Sequence, residues 1–327
     1  MLQTPLLLLV YNRLDTLQKV WEAIRLARPR YFFISGDGPK EDPRSQEAVA
    51  AVRRFCEKNI DWPCEAHFQW LPTNHGQKQG ILKGIFWFFS QVSEGIVLED
   101  DILPIPDFFP FCEMLLEQYR EEPRVGMIQG VNVAPSDYTP YQYDFTRLPL
   151  VWGWASWRRA WEGFDPDMKD WVHLRQTDLL DRWTGYNVRV RRALKRYLDR
   201  VAALEEPHLS LWEFPLIYHF MKKGLVTVYP KTNLVINIGV GHPEALHTTA
   251  TRVLPAPQPL PRNLPPPPFI YPNLRAEYCM ITDHWAPTLF YRAYLRIQAD
   301  LHYGTLWQTF TSKRFWKKAI RIILGKQ

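Results

Sequence analysis

Three consecutive carboxylates, Glu99-Asp100-Asp101, follow the apolar run Gly95-Ile-Val-Leu98 and precede Ile-Leu-Pro-Ile-Pro-Asp-Phe-Phe. Acids this close repel one another unless a cation or several hydrogen-bond donors sit among them. Hard Mg²⁺ or Mn²⁺ prefers such oxygen ligands, and a cation there would also hold a diphosphate. The plainer reading is a solvated acidic turn leading into a helix from Asp107. Its position after a buried-type strand favours the metal site. Two other polar groups occupy comparable positions: Arg13 follows Leu6–Val10, and Asp37 follows Tyr31–Ser35. A planar, permanently charged guanidinium at Arg13 suits phosphates, or else an ion pair that closes the first loop.

The elements that must position these groups are legible as a pattern. Leu6–Val10 reads as a buried strand, and a helix follows in which Leu17, Val20, Trp21 and Ile24 share one face. Tyr31–Ser35, Ala66–Leu71 and Gly95–Leu98 repeat the strand signal, with helices over Gln46–Cys56 and Gln77–Ser90 between them. Four alternations predict an α/β fold with a mostly parallel, Rossmann-like sheet covered by helices, whose ligand sits outside the carboxyl ends of the strands. Further on, Val125–Gln129 and Leu225–Tyr229 read as strands, and Asn187–Leu204 and Trp212–Lys223 as helices. Residues 255–272 are proline-rich and force an extended path, either as a spacer or as an arm along the surface burying Phe269, Ile270 and Tyr271. The predicted organisation is a domain over 1–254, an arm or linker over 255–272 and a helical region over 273–327.

Composition narrows the classes. With 327 residues, 46% of them hydrophobic and 14% aromatic, the chain buries a substantial core, and disorder is excluded. Residues 301–327 hold six Lys/Arg and no Asp/Glu, which equals the whole net charge of +6. The body is balanced, so no nucleic-acid groove is expected. Cys56, Cys64, Cys112 and Cys279 form no CxxC pair and point to a reducing, cytoplasmic setting. The apolar run at Leu6–Val10 is too short for a signal peptide or a membrane span. The tail Lys313–Leu324 draws as a helix with Phe315, Trp316, Ala319, Ile320, Ile322 and Ile323 on one side and basic residues on the other. It suits peripheral attachment to an anionic membrane surface, or else docking on the protein's own body.

Two aromatic or basic stretches carry further options. Trp152-Gly-Trp-Ala-Ser-Trp157-Arg-Arg-Ala-Trp161 has helical spacing from Trp154 onward. Trp157 and Trp161 read as core, whereas Trp152 and Trp154 offer indole faces to an acceptor sugar. Residues 187–200 carry six basic groups against one acid, a solvated face or an attractor for an anionic acceptor glycan.

Taken in order, Tyr11-Asn-Arg13, Ser35-Gly-Asp37-Gly, Val97-Leu-Glu-Asp-Asp101 with Pro106-Asp-Phe-Phe109, and Trp152-Gly-Trp154 resemble the GT-A nucleotide-sugar glycosyltransferases, in particular their N-acetylglucosaminyltransferase I-like branch. The resemblance covers about residues 4–250. It implies that Asp101 ligates Mn²⁺ or Mg²⁺, Asp100 meets the ribose, Glu99 meets hydroxyls of the donor sugar, Asp37 bonds a uracil base, and Arg13 lies near the phosphates. It implies His247, with His242 as competitor, near the metal and diphosphate. An inverting transfer needs a carboxylate to take the proton of the acceptor hydroxyl. Related enzymes tend to have Trp-Asp where this chain has Trp212-Glu213, which makes Glu213 the candidate base or, alternatively, an ordinary acid in a helix's first turn.

The expected activity is transfer of a sugar from a nucleotide-diphosphate donor, UDP-linked as a first choice, to a hydroxyl of a glycan or glycolipid. A sugar-1-phosphate nucleotidyltransferase would need a Gly-rich loop after the first strand, and Tyr-Asn-Arg-Leu-Asp has no Gly. The non-catalytic alternative is a GT-A-like nucleotide-sugar-binding scaffold.

Overall fold

The computed structural model describes residues 1–185, 188–202, 212–242, 254–261 and 263–285. Expectations for His247 and for the basic tail fall outside these residues. The first half runs β1 (Leu6–Val10), α1 (Leu14–Ala27), β2 (Tyr31–Gly36), α2 (Pro43–Lys58), β3 (Glu65–Trp70), α3 (Gly76–Gln91), β4 (Glu94–Glu99), β5 (Ile102–Pro104) and α4 (Phe108–Gln118). The second runs β6 (Val125–Gln129), β7 (Tyr143–Thr146), β8 (Trp154–Trp157), α5 (Arg158–Trp161), α6 (Trp171–Leu174), α7 (Leu179–Trp183), α8 (Val188–Ala202), α9 (Glu213–Lys223), β9 (Val226–Pro230), β10 (Val235–Asn237) and α10 (Leu274–Trp285).

Eight strands form one sheet in the order β3-β2-β1-β4-β8-β6-β9-β7, while β10 pairs with β5 in a separate antiparallel ribbon. β3, β2, β1 and β4 are parallel, as are β6 and β9. β8 is antiparallel to both β4 and β6, and β7 is antiparallel to β9. The chain is therefore the mixed α/β, mostly parallel, helix-covered sheet that the alternating pattern predicts.

The pleat explains why β1 is apolar throughout. Leu6, Leu8 and Val10 face a core shared with Leu17, Val20, Trp21 and Ile24 of α1, while Leu7 and Leu9 face Leu82, Ile85, Phe88 and Phe89 of α3. Each such side chain withdrawn from water contributes roughly 1.5–3 kcal/mol. Helices end where chemistry stops them: α2 starts at Asp42, whose carboxylate accepts from Ser45 N at 2.8 Å ahead of Pro43, and α9 stops at Gly224, which takes φ +65°.

Two expectations change. Trp154–Trp157 is a strand, not the start of a helix; only Arg158–Trp161 makes a helical turn. Spacings of three and four between tryptophans do not require a helix when the residues between them, Ala155 and Ser156, are both fully buried in the middle of a sheet. The proline segment does run along the body, with Ile270 packed against the core as the arm reading has it. Leu260 N donates to Asp107 Oδ2 at 2.7 Å, Gln258 N to Asn233 O, and Asn233 Nδ2 to Pro255 O. Pro267 is buried, whereas Phe269 and Tyr271 stay 58% and 64% exposed. Beyond the arm, Glu277 of α10 is buried and receives Arg147 from the end of β7. No helix among the described residues is long and apolar enough to cross a membrane. Cys56, Cys112 and Cys279 are buried, and Cys64 is half-buried.

Candidate active site

Adjacent parallel strands end on the same edge, so their following residues converge. Leu9 of β1 is in register with Glu99 of β4, which brings Tyr11–Arg13 against Asp100 and Asp101. Arg13 Nη1 donates to Asp101 Oδ2 at 2.8 Å and Nη2 donates to Asp100 Oδ1 at 3.1 Å, while Tyr11 N donates to Asp100 Oδ2 at 3.1 Å. Asp100 and Asp101 are buried and Arg13 is largely so. This is the ion pair that closes the first loop, and it sets a guanidinium among the carboxylates.

The electrostatics are those of a site with too much negative charge. Burial raises the Glu99 carboxyl well above the ordinary range, and Asp101, Asp100 and Glu213 push it further, with Arg13 opposing. Burial likewise lifts Asp100 to about 7, against the pull of Arg13 and the Tyr11 N–H. Burial works against the charge of Arg13, but Asp100, Asp101 and Glu99 together hold it more firmly protonated than usual. Glu213, the first residue of α9, sits close enough to add its charge to that of Glu99, and burial pushes its own carboxyl up to about 7. Three carboxylates at the end of β4 thus share one guanidinium, with Glu213 near Glu99. Their hard oxygens suit Mg²⁺ or Mn²⁺ with a diphosphate supplying the remaining ligands. Among the described residues no group of three His, Cys, Asp or Glu gathers at one point, so Asp101 would carry the protein's share from this part of the chain.

A glycine outside those motifs lies over the same ion pair. Asn237 pairs with Ile102, Ile238 N donates to Asp101 O at 2.8 Å, and the chain then passes over the ion pair. A Cβ at Gly239 would lie 2.3 Å from Asp101 Oδ2 and 2.8 Å from Arg13 Nη1, so only glycine lets the backbone come this close. Three residues later His242 Nε2 meets Asp15 Oδ2 at 3.2 Å, at the start of α1. The available signal was the run Asn237-Ile-Gly239, a glycine just past a strand.

Asp37 has another task than the one expected of it. Its carboxylate accepts from the backbone N–H groups of Gly38 (2.8 Å), His75 (3.0 Å) and Gly76 (3.0 Å) and from Asn74 Nδ2 (3.1 Å). Two of those donors, His75 N and Gly76 N, are N–H groups at the start of α3 that have no partner within the helix, and all four compete with a uracil for the Asp37 oxygens. Asp37→Ala is therefore expected to destabilise the fold by about 1–3 kcal/mol. Urea unfolding checks this: unchanged stability with weakened UDP affinity would restore Asp37 to the base.

The tryptophans divide as well. Trp154 is 1% exposed inside the sheet, so the expectation that it contacts an acceptor is corrected. Trp152 is half-buried beside Gly153, which takes φ +60° against Val235, Ile102 and Leu98 and thus lies next to the end of β4. Trp161 stacks on Trp154 at 5.4 Å and on Trp212 at 6.3 Å, and Trp212 immediately precedes Glu213. On α8, Val190, Leu194, Leu198 and Val201 face the core, and Arg191 and Lys195 pair with Asp181 and Asp199. That is the solvated-face reading of the basic stretch.

No family model matches the chain, and no curated protein matches it. Among solved structures, S. aureus TarS 1–349 aligns at 11% identity and a TM-score of 0.33, over 48% of this chain. The match spans about half the length of that TarS 1–349 chain.

Proposed function

We propose that this chain is an inverting GT-A-type glycosyltransferase that takes a sugar from a nucleotide-diphosphate donor and passes it to a hydroxyl of a glycan or glycolipid. The observation that carries the reading is that Glu213, at the head of α9, lies near enough to Glu99, at the end of β4, for its charge to push the Glu99 carboxyl up. Two separately supplied acidic groups at one crevice suit a reaction that needs a donor-holding acid cluster and a base.

In this reading Arg13 and Asp101 hold the diphosphate end, Asp101 through a divalent cation, while Asp100 meets the ribose and Glu99 the donor sugar. A bound cation would offset the charge that grows on the departing diphosphate. Glu213 accepts the proton of the acceptor hydroxyl as its oxygen attacks the anomeric carbon, and the bond from that carbon to the diphosphate breaks with its electron pair on the phosphate oxygen. A carboxyl with a pKa near 7 is matched to taking a proton at neutral pH. Trp152 is the aromatic group proposed for the acceptor. The donor is tested by thermal shift with UDP-, GDP- and CMP-sugars in Mn²⁺, because a ligand that binds only the folded state raises the melting temperature. UDP-sugars are expected to give the largest rise; no rise with any nucleotide sugar would end this reading.

A further inference from the structure

The tryptophan-rich segment is not explained by sugar contact, since Trp154 and Trp161 are buried. Its geometry does connect the two halves of the site. Trp154 of β8 is paired with Val97 of β4, two residues before Glu99. Trp161, Trp154 and Trp212 form a triangle of rings: Trp161 stacks on Trp154 at 27° and on Trp212 at 29°, Trp154 also meets Trp212 at 6.3 Å with a 44° tilt, and Phe89 stacks on Trp161 at 5.7 Å. Trp212 is 3% exposed and covalently precedes Glu213. Trp161 is also anchored: its Nε1–H donates to Ser156 Oγ at 3.1 Å, and that hydroxyl donates to Gly126 O at 2.7 Å. A second tie runs from His219 Nε2 on α9 to Ala160 O at 2.8 Å.

We propose that Trp161 is a positioning residue that sets the Glu213 carboxylate against the donor site at Glu99–Asp101 by fixing the spacing between β8 and the head of α9. The proposal rests on the reading of Glu213 as the base. Close-packed rings transmit displacement because a dense interior has no slack to absorb it. Arg13 and Tyr11 are tied to Asp100 and Asp101 by hydrogen bonds of their own. The donor half should therefore be unaware of a change at Trp161, whereas the base should move.

A tryptophan that merely packs and one that positions predict different things. The test uses Trp161→Leu, Trp161→Phe, Ser156→Ala and Glu213→Gln in the full chain. Turnover is read as UDP release from the UDP-sugar that is hydrolysed fastest, and donor-site affinity as the calorimetric Kd of UDP in Mn²⁺. Trp161→Leu is expected to lower kcat by about tenfold or more, since displacing a reacting group by about 1 Å costs on the order of 100-fold, with the UDP Kd unchanged. Trp161→Phe keeps an aromatic spacer and should retain most of the parent's kcat. Ser156→Ala leaves the ring in place without its anchor and should lower kcat about threefold, again at constant Kd. Parental kcat in Trp161→Leu, or a Kd that weakens in step with kcat, overturns the proposal. Should the Leu variant not fold, parental kcat in Ser156→Ala overturns it instead. Parental turnover in Glu213→Gln has a different meaning: it removes the base and not only its spacer.

Discussion

Replacing Glu213 by Gln is expected to lower kcat by about 10²–10⁴-fold while UDP affinity survives, the signature of a lost general base. Gln keeps the shape of the head of α9 and the packing of Trp212 and Phe214, so the loss belongs to the carboxylate. The pH dependence follows from the same burial. Because burial lifts this carboxyl to about 7, the parent's kcat should rise through that pH as the base deprotonates, and the Gln variant should lack that limb. Stability should move the opposite way. The ordinary value is 4.5, so below it both folded and unfolded chains carry the proton and the group costs nothing. As pH rises from 4.5 to about 7 the unfolded chain loses its proton first, and the cost becomes complete above the folded-state value. Glu213→Gln should therefore match the parent in acid and exceed it above neutrality by roughly 3 kcal/mol. A variant with parental kcat, or with no gain in stability at high pH, would count against a buried base.

Asp101→Ala carries the second large effect. Activity in Mn²⁺ should fall by about 100-fold or more, because the strongest neutralisation of the departing diphosphate goes with the metal. A readout independent of activity is the rise in melting temperature when Mn²⁺ is added to the parent, which the variant should lose. The fold should tolerate the change: removing Asp101 takes away one partner of Arg13 but also the second-largest cause of the upward push on Glu99. Equal Mn²⁺-induced stabilisation in parent and variant would place the cation elsewhere.

How much of this was legible beforehand depended on which signals are local. The strands β1, β2, β4, β6 and β9 announced themselves as short apolar runs, and the acidic end of β4 was readable because a turn follows a strand in the chain itself. The proximity of Glu213 to Glu99 was not a pattern within one segment; it arises because β8 inserts antiparallel between β4 and β6 and carries Trp154, which with Trp161 of α5 packs on Trp212 just ahead of α9. β8 escaped notice because its tryptophans mimic a helical repeat. Asp37 looked like a ligand-facing acid because it follows a strand; only the folded path of residues 73–76 shows that the start of α3 claims its oxygens. Gly239 had no motif to mark it, and its importance comes from the backbone passing within contact of Asp101.

The central claim is that this crevice turns over nucleotide sugars. The direct measurement is release of UDP from a panel of UDP-sugars by the full chain in Mn²⁺, alongside UDP affinity under the same conditions. The account predicts slow release of UDP with water as acceptor, from at least one member of the panel, that stops when EDTA removes the metal. Tight binding of UDP-sugars with no release from any of them, in the presence of Mn²⁺ and candidate glycan acceptors alike, would contradict it and leave a nucleotide-sugar-binding scaffold in its place.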